Sequence, residues 1–223
     1  MCKRAGGPPP PPPPPRRYDS PRRRAQAEAT RAEILRAAQR LFERDGFAAT
    51  TMASVAAEAG VALKTVYVAF ATKSGLLRAL WNVLLRGDAE DVPMGERPWY
   101  RDMLAEPDPG ARLDRMARQS RAVKDRAGRL LVAIRDAAAG DDDAAALWNA
   151  IEAQFRGLLE PVARTFAEEG SLRAGLDPER AADVLWALNH PDVWRLLVRV
   201  RGWSADEYEV WLAGAFRREL LAG

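Results

Sequence analysis

One cysteine, one histidine and no apolar run of membrane-spanning length in 223 residues remove several function classes before any motif is read. Cys2 has no second thiol to pair with, so an internal disulfide or a thiolate metal cluster is excluded. The sole histidine, His190, excludes most imidazole-based metal sites. Within Asn189-His190-Pro191-Asp192 it reads as a turn residue between two helices, and a pH-sensing role requires a charge partner that the sequence does not reveal. No glycine-rich phosphate loop follows a strand and no Gly-x-Ser-x-Gly elbow occurs. The acidic run Asp141-Asp142-Asp143 opens a helical stretch, where carboxylates favour the positive dipole end, and this accounts for it without catalysis. The expectation is therefore a protein that is not an enzyme and needs no cofactor or metal. Without an h-region or about 20 consecutive apolar residues, the further expectation is a cytoplasmic chain with no membrane partner.

Strand signals are missing as well, so the fold class expected is all-α, with seven or more helices. Residues 1–27 lack apolar periodicity and include eight consecutive prolines, Pro8 to Pro15; they are expected to form a disordered Pro/Arg-rich tail. The proline run is expected to form a polyproline II rod of roughly 25 Å at about 3 Å per residue. Arg16, Arg17, Arg22, Arg23 and Arg24 follow it. Basic arms of this kind enter a minor groove, or add non-specific affinity as solvated tails, or present a proline-rich ligand to a partner domain. Residues 1–73 hold 13 Lys and Arg against 6 Asp and Glu, a net charge of +7, whereas the remainder holds 21 against 25, a net −4. The basic end is thus the end suited to nucleic acid.

Thr51 to Phe70, TMASVAAEAGVALKTVYVAF, is the most informative segment. Val55, Ala56 and Ala59 share one face of a helix that starts near Met52 behind a Thr51 N-cap. Gly60 stands where the chain must leave that helix in a left-handed conformation, and Val61 fills the space beneath the turn. A second helix from about Ala62 to Phe70 turns Val66, Ala69 and Phe70 inward. It leaves Leu63, Lys64, Thr65, Tyr67 and Val68 on the remaining surface. Two short helices crossing over a three-residue turn also occur as ordinary packing corners. A helix-turn-helix, which fits the DNA major groove, is favoured by its flanks. Upstream, Ile34, Leu35, Ala38, Leu41 and Phe42 make an amphipathic scaffold helix ending at Asp45-Gly46. Downstream, Thr72 caps a helix whose first turn contains Lys73, an end suited to phosphate.

From Thr30 to about Leu77 the chain resembles the DNA-binding domain of the TetR family of transcriptional regulators. The resemblance rests on the I-L-x-A-A-x-x-L-F run from Ile34 to Phe42, Gly46-Phe47, Thr51, Ala56-Ala57, Ala59-Gly60-Val61, Thr65-Val66-Tyr67, Phe70 and Lys73. It implies an N-terminal three-helix domain over residues 28–74. There Thr51, Thr65, Tyr67 and Lys73 hold phosphates while the start of the recognition helix faces base edges. Tyr67 serves equally well as a core-edge aromatic. The chain departs from the common family pattern at Ala62, Lys64 and Val68-Ala69. Few side-chain hydrogen bonds to bases remain, with Lys64 suited to guanine and Leu63 or Val68 to a thymine methyl.

Asp88 to Pro109 reads as an irregular connection containing one short helix. Beyond it, residues 75–223 are expected to form a helical bundle for ligand binding and dimerisation. Its helices fall over Ala111 to Ala127, Leu130 to Ala139, Ala144 to Glu169, Pro178 to Leu188, Pro191 to Val200 and Ala205 to Leu221. The longest has an apolar stripe from Trp148 to Phe166, bent by Pro161. That stripe is either core or the wall of a ligand pocket. The pocket candidates are Trp81, Met103, Trp148, Phe155 and Trp186. Leu188, Trp194, Leu197, Tyr208, Trp211, Leu212 and Phe216 exceed what one small domain readily covers. The resemblance places the last two long helices in a four-helix homodimer interface. Ser204 and Glu207 form a capping box ahead of the last helix.

The function expected is a DNA-binding transcriptional regulator, most simply a repressor. It binds double-stranded DNA at a palindromic operator as a homodimer and releases it when a small apolar or amphipathic effector enters the bundle. A second reading is a helical interaction or architectural module holding nucleic acid loosely through its tail. A third is an apolar-ligand carrier with a vestigial DNA domain.

Overall fold

A computed structural model describes residues 21–86 and 93–222. The Pro8 to Pro15 run, Cys2, Arg16 and Arg17 lie outside the described residues, as do residues 87–92 of the connection. The described chain contains ten α-helices. The first, α1, runs Pro21–Ala49 and is broken at Gly46, whose φ of 79° and ψ of 171° lie in a region open essentially to glycine alone. The scaffold helix thus ends at Asp45-Gly46 as the sequence predicts. Its start differs from expectation, because residues 21–27 are helical rather than part of an irregular tail. Ala25, Gln26, Ala27 and Ala29 are strong helix formers. The lack of an apolar stripe there reflects the absence of a core beneath, not of a helix.

Helices α2 (Met52–Ala59) and α3 (Leu63–Phe70) follow, bent by 112° at their junction, within the range of a helix-turn-helix. Thr51 caps α2 through a reciprocal box with Ser54. Gly60 takes the left-handed conformation at φ 66°, ψ 31°, and its N–H and that of Val61 close onto Ala57 and Ala56 carbonyls. At the far end of α3, Ala71 adopts φ 57° and the Thr72 N–H reaches back to the Phe70 carbonyl at 2.6 Å, a tight turn into α4 (Lys73–Arg86).

A 3₁₀ turn at Met94–Glu96 and α5 (Pro98–Leu104) make the short connection. Then come α6 (Pro109–Ala138), α7 (Asp142–Glu168), α8 (Pro178–Leu188), α9 (Pro191–Trp194) running into a π-helical turn over Arg195–Val200, and α10 (Ala205–Leu220). Two expected helices, over 111–127 and 130–139, are one helix. Gly128 lies in its middle because the Trp194 ring packs there. A Cβ at that position would stand 2.6 Å from the ring. Pro161 does not interrupt α7.

Two buried clusters divide the core. One joins α1 to α4 with the second half of α6 and the start of α7, and the other joins α5, α8, α10 and the opposite ends of α6 and α7. The long helices α6 and α7 therefore run through both. No single helix among the described residues is long and apolar enough to cross a membrane.

Candidate nucleic-acid interface and core cavity

The inward face of α3 is Val66 and Phe70, both buried, so helical geometry turns the intervening residues outward. Leu63, Lys64 and Tyr67 are exposed, Thr65 is half-buried, and Val68 is 79% exposed. This open edge presents one ammonium, one phenol and two aliphatic groups to solvent. Thr51 is exposed at the start of α2; its Oγ accepts from the Ser54 N–H at 3.0 Å, and its hydroxyl proton points to Ser54 Oγ at 3.2 Å. A phosphate oxygen is an alternative acceptor for that proton.

Lys73 departs from a freely presented cation. Its Nζ donates to the Phe47 carbonyl at 2.8 Å and stands 4.0 Å from the Phe47 ring centroid, so the side chain ties α4 to the end of α1. An ammonium has three donors, and two remain for an outside acceptor. Arg31 makes the analogous tie from α1 to α3, donating to the Ala69 carbonyl at 2.8 Å with its guanidinium 4.2 Å from the Phe70 ring centroid. Sequence reading missed Arg31, which stands alone on a helix face with no motif around it. Arg22, Arg23 and Arg24 are exposed on the first turns of α1, and Arg23 lines a cleft shared with Thr30, Thr65 and Val68. The structure thus brings Arg23 beside the recognition helix. It fixes the basic residues on a helix rather than leaving them on a loose arm.

Inside the bundle lies a small apolar cavity of about 60 Å³. Of the five pocket candidates, Met103 and Phe155 line it. Trp81 is instead buried in the N-terminal cluster, and Trp148 and Trp186 stand beside His190, with ring centroids 6.1 and 5.1 Å away. None of these three lines the cavity. The cavity takes Trp99 and Tyr100 from the short connection, Met116, Ser120 and Val123 from α6, and Leu85 from the end of α4. The Tyr100 hydroxyl donates to the Leu158 carbonyl at 2.6 Å, and burial raises its pKa. His190 caps α9, its Nδ1 accepting from the Asp192 N–H at 3.2 Å, while its Nε2 lies 3.4 Å from Glu152.

Arg97, at the start of α5, and Arg112 and Lys124, both on α6, are buried, and the two on α6 are treated differently. Arg112, 1% exposed, is matched by a two-pronged pair with Glu169 at 2.9 and 2.8 Å. Lys124, equally hidden, has only neutral partners. Its Nζ lies 2.7 Å from Ser120 Oγ, 2.8 Å from the Asn189 carbonyl, 2.6 Å from Asn189 Oδ1 and 2.8 Å from Tyr208 Oη. Ser120 also donates to Asn189 Oδ1. Burial holds the Lys124 ammonium well below the usual lysine range and pushes the Tyr208 phenol up. Neither Lys124 nor this network was singled out from sequence, since a lysine within the charged pattern of α6 gives no sign of pointing inward.

Of the expected dimer residues, Trp194, Tyr208, Leu212 and Phe216 are buried within the protomer, Trp194 of α9 against Gly128 of α6 and the other three where α10 packs against α6 and α8. Leu188, Leu197 and Trp211 are half-buried. The outward apolar surface is carried instead by Leu196, Val200 and Val210, with Trp203 and Trp211 forming an edge-to-face pair beside Val210.

Residues 34–80 match the model of a family described as "Bacterial regulatory proteins, tetR family". The HTH-type transcriptional regulator TtgR of Pseudomonas putida is 41% identical over 63 residues, which is 28% of this chain and 30% of TtgR. The chain's match thus spans under a third of that relative's length. Among solved structures, NalD of Pseudomonas aeruginosa, the secondary repressor of the MexAB-OprM multidrug efflux pump, superposes with a TM-score of 0.66. It is 22% identical, over 88% of this chain and 98% of that one. A regulator from Saccharomonospora viridis in complex with choline gives a TM-score of 0.66 at 19% identity, over 88% of this chain and all of that one. At these identities the two structures establish the shared fold.

Proposed function

We propose, for a chain that carries the DNA-binding domain of the tetR family of bacterial regulatory proteins, that it is a homodimeric repressor released from a palindromic operator by a small effector. Residues 28–74 read DNA, and residues 75–223 bind the effector and dimerise. The observation that carries the reading is the open outer edge of α2 and α3. Thr51, Lys64, Tyr67 and Val68 all face solvent there, with Arg23 alongside. Thr51, Thr65, Tyr67 and Lys73 contact phosphates and set the register. Leu63, Lys64 and Val68 face base edges, and Arg22, Arg23 and Arg24 reach the adjoining backbone or minor groove. Two such edges held about 34 Å apart meet successive major grooves.

Coupling runs through α4. One end contributes Leu85 to the cavity, and the other is tied to α1 by Lys73. An effector that binds better to one position of α4 shifts the population of that position and thereby the spacing of the two readers. NalD is described as a repressor, and the Saccharomonospora regulator was solved with a small molecule, which supports both halves of the proposal by analogy.

A mobility-shift titration against the DNA upstream of the protein's own coding sequence, and against shuffled DNA of equal composition, tests it. The expected result is a salt-sensitive shift at least about a thousandfold stronger on the upstream DNA. Lys64→Ala should relax base preference at one position and cost about 1–3 kcal/mol. Equal affinity for both DNAs, abolished by removing residues 1–20, would establish the tail-driven architectural module instead.

A further inference from the structure

The buried lysine and the apolar cavity meet along one edge. Ser120 and Asn189 line the cavity, and Lys124 Nζ stands directly behind them, 2.7 Å from the serine hydroxyl. Resting on the reading of this cavity as the effector site, we propose that the effector is an amphipathic acid. Its anionic head docks at Ser120 and Asn189 against Lys124, and its apolar body lies over Trp99, Met103 and Phe155.

The charge inventory carries the inference. Arg112, buried on the same helix, has a carboxylate of its own, whereas Lys124 has no acidic partner among the described residues. A buried ammonium surrounded only by neutral oxygens leaves its charge uncompensated in a low-dielectric setting, and an entering anion supplies what is missing. No Asp or Glu lines the cavity, so nothing there offers a counter-charge to a cation. Gln119 and Gln154 also line it, but almost the whole wall is apolar, so an amide N–H has to turn inward to reach a second head-group oxygen. Ser120 O–H, now spent on Asn189 Oδ1, can turn to the anion, since Lys124 already donates to that amide oxygen. Of the aromatic residues on the wall, Tyr100 has its hydroxyl committed to the Leu158 carbonyl. Length and shape of the body are set by the aromatic and methionine wall, and the head by this one polar corner.

Octanoate, 1-octanol and octylamine share one apolar body and differ in head-group charge. Titrated into the full-length protein and followed by tryptophan fluorescence, with Trp99 in the cavity wall as reporter, octanoate should bind about tenfold or more tighter than 1-octanol. Octylamine should bind weakest. Lys124→Met should bring octanoate to the level of 1-octanol while leaving 1-octanol unchanged. Ser120→Ala, which keeps the lysine, should lower octanoate affinity alone, and it decides the matter if Lys124→Met does not fold. Equal binding of octanoate and 1-octanol, or a preference for octylamine, would overturn the acid assignment while leaving the cavity as an effector site. Failure of all three ligands to bind would overturn the effector reading of the cavity along with it.

Discussion

Lys124 alone has a consequence for stability that can be read without any ligand. Its ordinary value is 10.5 in the unfolded chain and well below that in the fold, where burial disfavours the charge. Between the two values the unfolded state binds the extra proton, so stability rises with pH there; below the folded value both states are protonated and the full penalty remains. The gain is at most about 1.4 kcal/mol per pH unit. Lys124→Met removes the linkage. Urea unfolding of both proteins at pH 7 and pH 10 should show the native protein gaining on the variant as pH rises. Parallel behaviour of the two would mean that the lysine is not buried as described. Lys73 gives a second residue-scale lesson. The sequence offers it as a phosphate ligand, but its tie to Phe47 means that Lys73→Ala would loosen α4 as well as weaken DNA binding.

At the scale of elements, α6 shows how propensity and packing compete. Glycine in a helix interior costs about 1 kcal/mol relative to alanine, so Gly128→Ala should stabilise an isolated helix. Here a Cβ would stand 2.6 Å from the buried Trp194 ring, and overpacking of this kind costs about 1–3 kcal/mol. The variant should therefore lose thermal stability, and a melting temperature equal to or above that of the native protein would show that Trp194 yields freely. The same contact explains why two helices were expected where one exists. From sequence a glycine between apolar runs reads as a break, and only the ring lying across it reveals a close approach. The helix-turn-helix was legible because its constraints are local. The Thr51 cap, the left-handed Gly60 and the inward Val66 and Phe70 are each determined within a few residues of chain.

For the whole molecule, the proposed homodimer makes the outward apolar residues the candidates for its interface. Val210 is 74% exposed on α10 beside Trp203 and Trp211, whereas Trp194, Tyr208, Leu212 and Phe216 lie inside the protomer. A charge at the centre of an apolar interface is strongly disfavoured. Val210→Asp should move the sedimenting species toward the 24.6 kDa protomer. It should also reduce operator affinity by about a hundredfold or more, because the second half-site loses its linked partner. A variant that stays dimeric and binds DNA as before would relocate the interface to another face. Loss of dimer with unchanged DNA affinity would instead break the link between symmetry and operator recognition.

What the sequence determined by itself is the all-α class, the helix-turn-helix with its outward Leu63, Lys64, Tyr67 and Val68, and the basic character of the N-terminal end. Helical periodicity, caps and left-handed turns are properties of neighbouring residues, and charge adds along the chain without reference to the fold. Only the tertiary structure decided which aromatic residues enclose space and which fill it. Only it brought Arg23 to the recognition helix and set Lys124 against Ser120, Asn189 and Tyr208. Those outcomes depend on the rotation of one helix against another. Apolar stripes of similar width on α6, α7 and α10 leave that angle open until side chains from distant parts of the chain interlock.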